Sequence, residues 1–207
     1  MMARSLRQIT GVPPVFLAGK PLPAASTALL LIDYQQEYRQ GPLALPDEAR
    51  TTPVACRLRE WAETAGLPVI HVHHLAPAGS PLFATGMPGA QPLPGMVPEP
   101  GQTVICKRLP SAFAGTGLAG VLQERAVDTL LLAGYMTHNC VDATARDAFH
   151  RGYRVGIVGE ASATRDLCAP NGVVMPAAQL HAAVLAGLGD RIAEIVDLLT
   201  LQAMVID

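Results

Sequence analysis

The sequence predicts an α/β protein, a doubly wound, mostly parallel six-stranded sheet with helices on both faces. Three observations point there. A chain of 207 residues suits one domain with a full core better than two. Hydrophobic residues make up 50% against 15% charged and 4% aromatic, so the interior is small aliphatic packing and disorder is excluded. Continuous apolar runs, as strands covered on both faces require, alternate with stretches of helical periodicity.

Taken in order, residues 1–26 are rich in proline and glycine and read as an extended arm lying on the domain, 27–207, or on a neighbouring subunit. "TALLLID", 27–33, is an apolar run ending in an acid, the first strand. "EARTTPVACRLREWAETAG", 48–66, has helical spacing and stops at a glycine, and "LPVIHVHH", 67–74, is the second strand. A long loop rich in Pro and Gly follows, of the kind that shapes a site. "QTVICK", 102–107, is the third strand, "GLAGVLQERA" a short helix and "VDTLLLAGY", 127–135, the fourth strand. After the helix "CVDATARDAFHRG" come "YRVGIVGE", 153–160, as the fifth strand, a helix over 176–189 and a sixth strand over 193–197. Such alternation, with right-handed crossovers, puts helices on both faces.

The net charge of -2 comes with no basic run, and aromatics are too few for a base-stacking platform, which excludes nucleic acid. No apolar run reaches the roughly 18 residues of a membrane span. The four cysteines are widely spaced, with neither a CxxC pair nor zinc-finger spacing, so free thiols in a reducing, cytoplasmic compartment are expected. "GTGLAG", 115–120, formally matches a dinucleotide fingerprint, but it does not directly follow a strand and lacks the ribose-binding acid, so no cofactor is expected.

Ligands of doubly wound folds bind beyond the carboxyl ends of the strands. Asp33, His73, His74, Lys107 and the stretch from Gly134 to Cys140 stand there. A thiol attacks carbonyls as its thiolate, and a helix N-terminus or a neighbouring cation lowers its pKa. Cys140, at the expected helix start with Lys107 on another strand end, meets both conditions, and Asp33 could take its proton. Ordinary roles remain open for each: a packed thiol, a turn carboxylate, a solvated lysine. His71 and His73 share a strand face but leave a zinc site short of ligands; His71 is expected in the core, and His73 and His74 at the mouth of the site.

"LLLIDYQQEY", "VICKRLPSAFAGTGL" and "LLLAGYMTHNCVDATARDAFHRGY" resemble, in order, the three signatures of the isochorismatase-like cysteine hydrolases, the superfamily of nicotinamidase and N-carbamoylsarcosine amidase. The resemblance covers about residues 27–197. It implies an isochorismatase-like, Rossmann-like three-layer sandwich and a catalytic triad of Asp33, Lys107 and Cys140. It also implies a cis peptide before Met136, with the backbone N–H groups of Met136 and Cys140 as an oxyanion hole. Asp33 would then deprotonate Cys140 for attack on an amide or ureide carbonyl, giving a thioester that water hydrolyses. Nicotinamidases carry an Asp-x-His pair after the second strand where this chain reads His74, Leu75, Ala76, so no metal is expected. His73, His74, Phe113, Tyr135 and Thr137 are the candidate substrate-binding residues. Gln35 and Glu37 are expected to brace the loop after Asp33, and His181 to be packed on its helix. Relatives of this kind imply a homo-oligomer, dimer or tetramer. The alternative is a catalytically inactive small-molecule-binding relative of the same fold.

Overall fold

The computed structural model describes residues 4–207. The apolar run after residue 26 forms β1 (Thr27–Ile32), buried at every position, as a strand between two helical layers must be. Helix α1 (Glu48–Thr64) carries Pro53 in its second turn, where the ring costs the helix one i→i−4 hydrogen bond. It is followed by β2 (Val69–His74), β3 (Thr103–Lys107), α2 (Leu118–Glu124) and β4 (Thr129–Gly134). Then come α3 (Asp142–His150), β5 (Arg154–Val158), α4 (Ala177–Arg191) and β6 (Glu194–Val196). A last short helix, α5 (Leu198–Gln202), was not foreseen from the sequence.

The six strands form one sheet in the order β3-β2-β1-β4-β5-β6, and every pairing in it is parallel. The sheet is therefore wholly rather than mostly parallel. The chain leaves β1 in both directions, so the switch point lies between β1 and β4, where such sheets open a crevice at their carboxyl ends. Ile32 pairs with Gly134 there, and His74 pairs with Lys107. Gly134 is required at that point: a Cβ would stand 2.1 Å from the Ile32 carbonyl oxygen.

The core divides by strand parity. One face packs Leu29, Leu31 and Val69 against Leu58 and Ala62 of α1 and Leu198 and Leu201 of α5. The other packs Leu30, Ile32, Ile70 and Val72 against α2, α3 and α4.

Of residues 1–26, expected as an extended arm, the first three lie outside the described residues, and the rest include one helical turn, Leu6–Ile9, capped by Ser5. This segment packs on its own domain. The Glu194 carboxylate accepts the Val15 and Phe16 N–H groups and pairs with Arg7, Phe16 is buried, and Pro21–Leu22 pairs with Val205–Ile206 near the C-terminus. A cavity of about 650 Å³ lies under the segment, lined by Val12, Pro14, Tyr153 and Ile192 among others, away from the Asp33 end of the sheet.

Candidate active site

Asp33 directly follows β1 with a φ of 55°, a left-handed conformation that Asp tolerates better than most residues. Lys107 is the last residue of β3. Cys140 belongs to a π-helical turn, Thr137–Val141, that leads into α3. The fold brings all three together. Lys107 Nζ lies 2.7 Å from Asp33 Oδ2 and donates to Cys140 Sγ at 3.2 Å. All are buried, with 0% of Asp33, 1% of Lys107 and 2% of Cys140 exposed. Neither Asp33 oxygen accepts a hydrogen bond of good geometry among the described residues. The carboxylate thus has an ion-pair partner and unused lone pairs.

The thiol is not the acidic group expected from its position. Burial pushes Cys140 up to about 12, the Asp33 charge adds to that, and Lys107 opposes it without prevailing. Its place inside the turn explains part of the difference, since the helix begins at Thr137 rather than at the cysteine. Burial also works against the Lys107 charge, but Asp33 and Cys140 together outweigh it and hold the ammonium above its ordinary value. The resting site is therefore a neutral thiol beside a lysine–aspartate pair.

Of the candidate substrate-binding residues, His74 lies against this cluster, its Nδ1 3.3 Å from Lys107 Nζ. His73 turns to the opposite sheet face with His71, their ring centroids 6.2 Å apart. His71 itself is buried, as expected, against Gln102 at 2.9 Å. Tyr135 also points to the α1 face, and its hydroxyl is shared between Thr51 and Thr52 at 2.7 and 2.8 Å. The Phe113 ring stacks on Tyr153 at 5.8 Å, and the Arg151 guanidinium lies 4.8 Å over it. Thr137 bonds His181 on α4 at 2.9 Å, so that histidine ties down the turn that carries Cys140 instead of merely packing. The Tyr135–Met136 peptide is cis.

Gln35 bridges the site's walls: its side chain accepts the His74 N–H and donates to the His74 and Ala90 carbonyls. Glu37 accepts the Phe83 N–H, and a Cβ at Gly89 would collide with its carboxylate. The long loop, residues 75–101, is in this way drawn over the strand ends. It delivers Phe83, whose ring lies 5.0 Å from His74 and 5.4 Å from Tyr38. Sequence reasoning passed over Phe83, although it is the loop's single aromatic residue. It also missed Tyr38, whose hydroxyl is held well above its ordinary pKa first by burial and then by the charges of Asp33 and Cys140. Arg165 was missed as well. It follows Thr164, which bonds His138 on the turn that carries Cys140, and its Nε is buried with no hydrogen-bond partner among the described residues.

Residues 27–198 match the model of the isochorismatase domain. The chain is 34% identical to a secreted isochorismatase effector of Verticillium dahliae, over 90% of this chain and 93% of that one. It is 34% identical to a maleamate amidohydrolase of Pseudomonas putida, over 64% of this chain and 70% of that one. The crystal structure of an isochorismatase from Pseudomonas putida superposes with a TM-score of 0.88 at 35% identity, covering 99% of this chain and 100% of that one.

Proposed function

The chain belongs to the isochorismatase family, and we propose that it is a cysteine hydrolase that cleaves the C–N bond of a small amide or ureide through a thioester, with no metal or cofactor. The observation that carries this reading is the buried Lys107 ammonium between the Asp33 carboxylate and the Cys140 thiol. Asp33 takes the thiol proton as the sulfur attacks the carbonyl, and Lys107 steadies the thiolate that forms. A thiol at about 12 stays neutral until then, so deprotonation accompanies attack rather than preceding it. The N–H groups of Met136 and Cys140 receive the oxyanion, a contribution of roughly 3 kcal/mol for each donor. The amine leaves with the proton held by Asp33, and a water deprotonated by the same carboxylate cleaves the thioester.

The maleamate amidohydrolase acts, by its name, on an amide that carries a carboxylate. Arg165, with its unpartnered Nε, supports the same substrate class for this chain. His74 and Phe83 would border the bound amide. The test is ammonia release from a panel of neutral and anionic amides and ureides, comparing wild type, Cys140→Ala and Arg165→Gln. Release by wild type and not by Cys140→Ala is expected, with KM for anionic amides raised about tenfold or more in Arg165→Gln. Equal release by Cys140→Ala would overturn the mechanism.

A second reading, an inactive binding relative, is favoured by the neutral, covered thiol. It predicts that anionic amides raise the melting temperature without being turned over. The domain proper is taken as residues 27–207, with residues 1–26 an arm over it. A dimer or tetramer is supported by exposed Val173, Val174 and Leu199, and a single-chain mass in light scattering would end that reading. No helix among the described residues is long and apolar enough to cross a membrane. The four free thiols favour the cytoplasm, although one relative is named as secreted.

A further inference from the structure

Lys107 has more around it than its two triad partners. Its Nζ lies 2.7 Å from Asp33 Oδ2, 3.2 Å from Cys140 Sγ and 3.3 Å from His74 Nδ1. An ammonium has three N–H donors and no acceptor, and the Asp33 ion pair, Cys140 Sγ and His74 Nδ1 surround it. The ammonium cannot accept, which assigns the His74 tautomer: Nδ1 carries the lone pair and Nε2 the proton. The donor atoms of Asp33, His74 and Cys140 all lie within 4.8 Å of one another, the one group of three possible metal ligands among the described residues. One oxygen, one imidazole nitrogen and one sulfur are the donor set of a borderline-soft divalent ion such as Zn²⁺ or Co²⁺, not of Mg²⁺ or Ca²⁺.

We propose that Asp33, His74 and Cys140 form a cation site whose resident cation is the Lys107 ammonium, with His74 as the residue that positions it. Removing the lysine charge would then turn the same three donors into a transition-metal site. The ammonium occupies the space a metal ion would take, so wild type is closed to the ion. In a Lys107→Ala variant the space opens beside a buried carboxylate that has lost its counter-charge, and an arriving Co²⁺ restores it. The thiol gives up its proton to solvent as the cobalt–sulfur bond forms, and water fills the position left by the lysine chain. His74 is already aimed: its backbone N–H and carbonyl are both held by Gln35, and Phe83 lies against its ring. Supporting contacts of that kind orient metal ligands.

The positioning role rests on the amidase reading, whereas the metal site does not, and the experiments separate the two. Co²⁺ is titrated into Lys107→Ala, Lys107→Ala/His74→Phe and wild type, following sulfur-to-cobalt charge-transfer absorption. One Co²⁺ per chain is expected in Lys107→Ala, binding at least about tenfold weaker when His74 is also replaced, and no charge-transfer band in wild type. No band in Lys107→Ala, or binding there that is indifferent to His74, would overturn the site. If Lys107→Ala does not fold alone, refolding in Co²⁺ is expected to restore it, and equally poor refolding would count against the proposal. In the otherwise native enzyme, His74→Phe should lower kcat about tenfold or more, and His74→Asn, which keeps an acceptor, should recover most of it. An unchanged kcat in His74→Phe would end the positioning role while leaving the metal result to stand or fall on absorbance.

Discussion

At the carboxyl ends of β1 and β4 the protein buries polar groups on both faces of the sheet. On the α1 face the Tyr135 hydroxyl is shared by Thr51 and Thr52. Thr52 donates to Glu48, and Arg39 closes the chain with two bonds to the same carboxylate at 2.8 and 3.2 Å. On the opposite face the Asp33 carboxylate is equally buried, yet Oδ1 has no hydrogen-bond partner among the described residues, and burial and the Asp33 charge hold the Cys140 thiol neutral against Lys107. The first network is satisfied within the protein and acts as structure. The second keeps lone pairs and a proton in reserve, a cost that makes sense where a substrate supplies the missing partners.

Substitutions on the two faces should therefore separate activity from stability. The widest gap is expected in turnover: Cys140→Ala or Asp33→Asn should lower kcat/KM by at least about 10³-fold, and Tyr135→Phe by less than about tenfold. Steady-state kinetics on the substrate found in the amide panel would show it, and a Tyr135→Phe loss as large as that of Asp33→Asn would erase the distinction. Next in size is the stability of the ion pair. Lys107→Met leaves Asp33 charged and buried, and should cost about 3–5 kcal/mol in denaturant unfolding. The Tyr135→Phe change should cost about 1–2 kcal/mol, because the threonines keep other partners.

The smallest effect is a pH dependence confined to the structural face. Burial opposes the Glu48 charge, but bonds from Arg39 and Thr52 hold its pKa below the ordinary 4.5. A depressed carboxyl contributes stability that is present above the unfolded value and is lost as pH falls through the folded one. Wild type should thus lose stability below about pH 4.5 that Glu48→Gln does not lose, by less than about 1 kcal/mol given the half-exposed arginine. Parallel melting curves for the two proteins across that range would place the Arg39–Glu48 pair elsewhere in the energetics.

Much of this was legible before any coordinates. Asp33 and Lys107 stand out at strand ends, which are readable because apolar runs stop there, and the family resemblance adds Cys140 in the turn after β4. The brace formed by Gln35 and Glu37 was equally accessible. Phe113 belongs to the motif that follows the third strand, but its ring packs with Tyr153 and Arg151. Phe83 instead reaches the site from a loop whose path no periodicity describes.

Composition and periodicity by themselves determined the parallel α/β architecture, because strand burial and helix amphipathicity are local patterns that repeat within a few residues. Tertiary structure alone decided which of two adjacent histidines meets Lys107. His73 and His74 differ by one position, and one position in a strand reverses the face. It also decided the state of the Cys140 thiol: the pKa of a thiol depends on the water excluded around it and on charges brought from distant strands. Those quantities exist only once β1, β3 and the turn after β4 have been packed side by side.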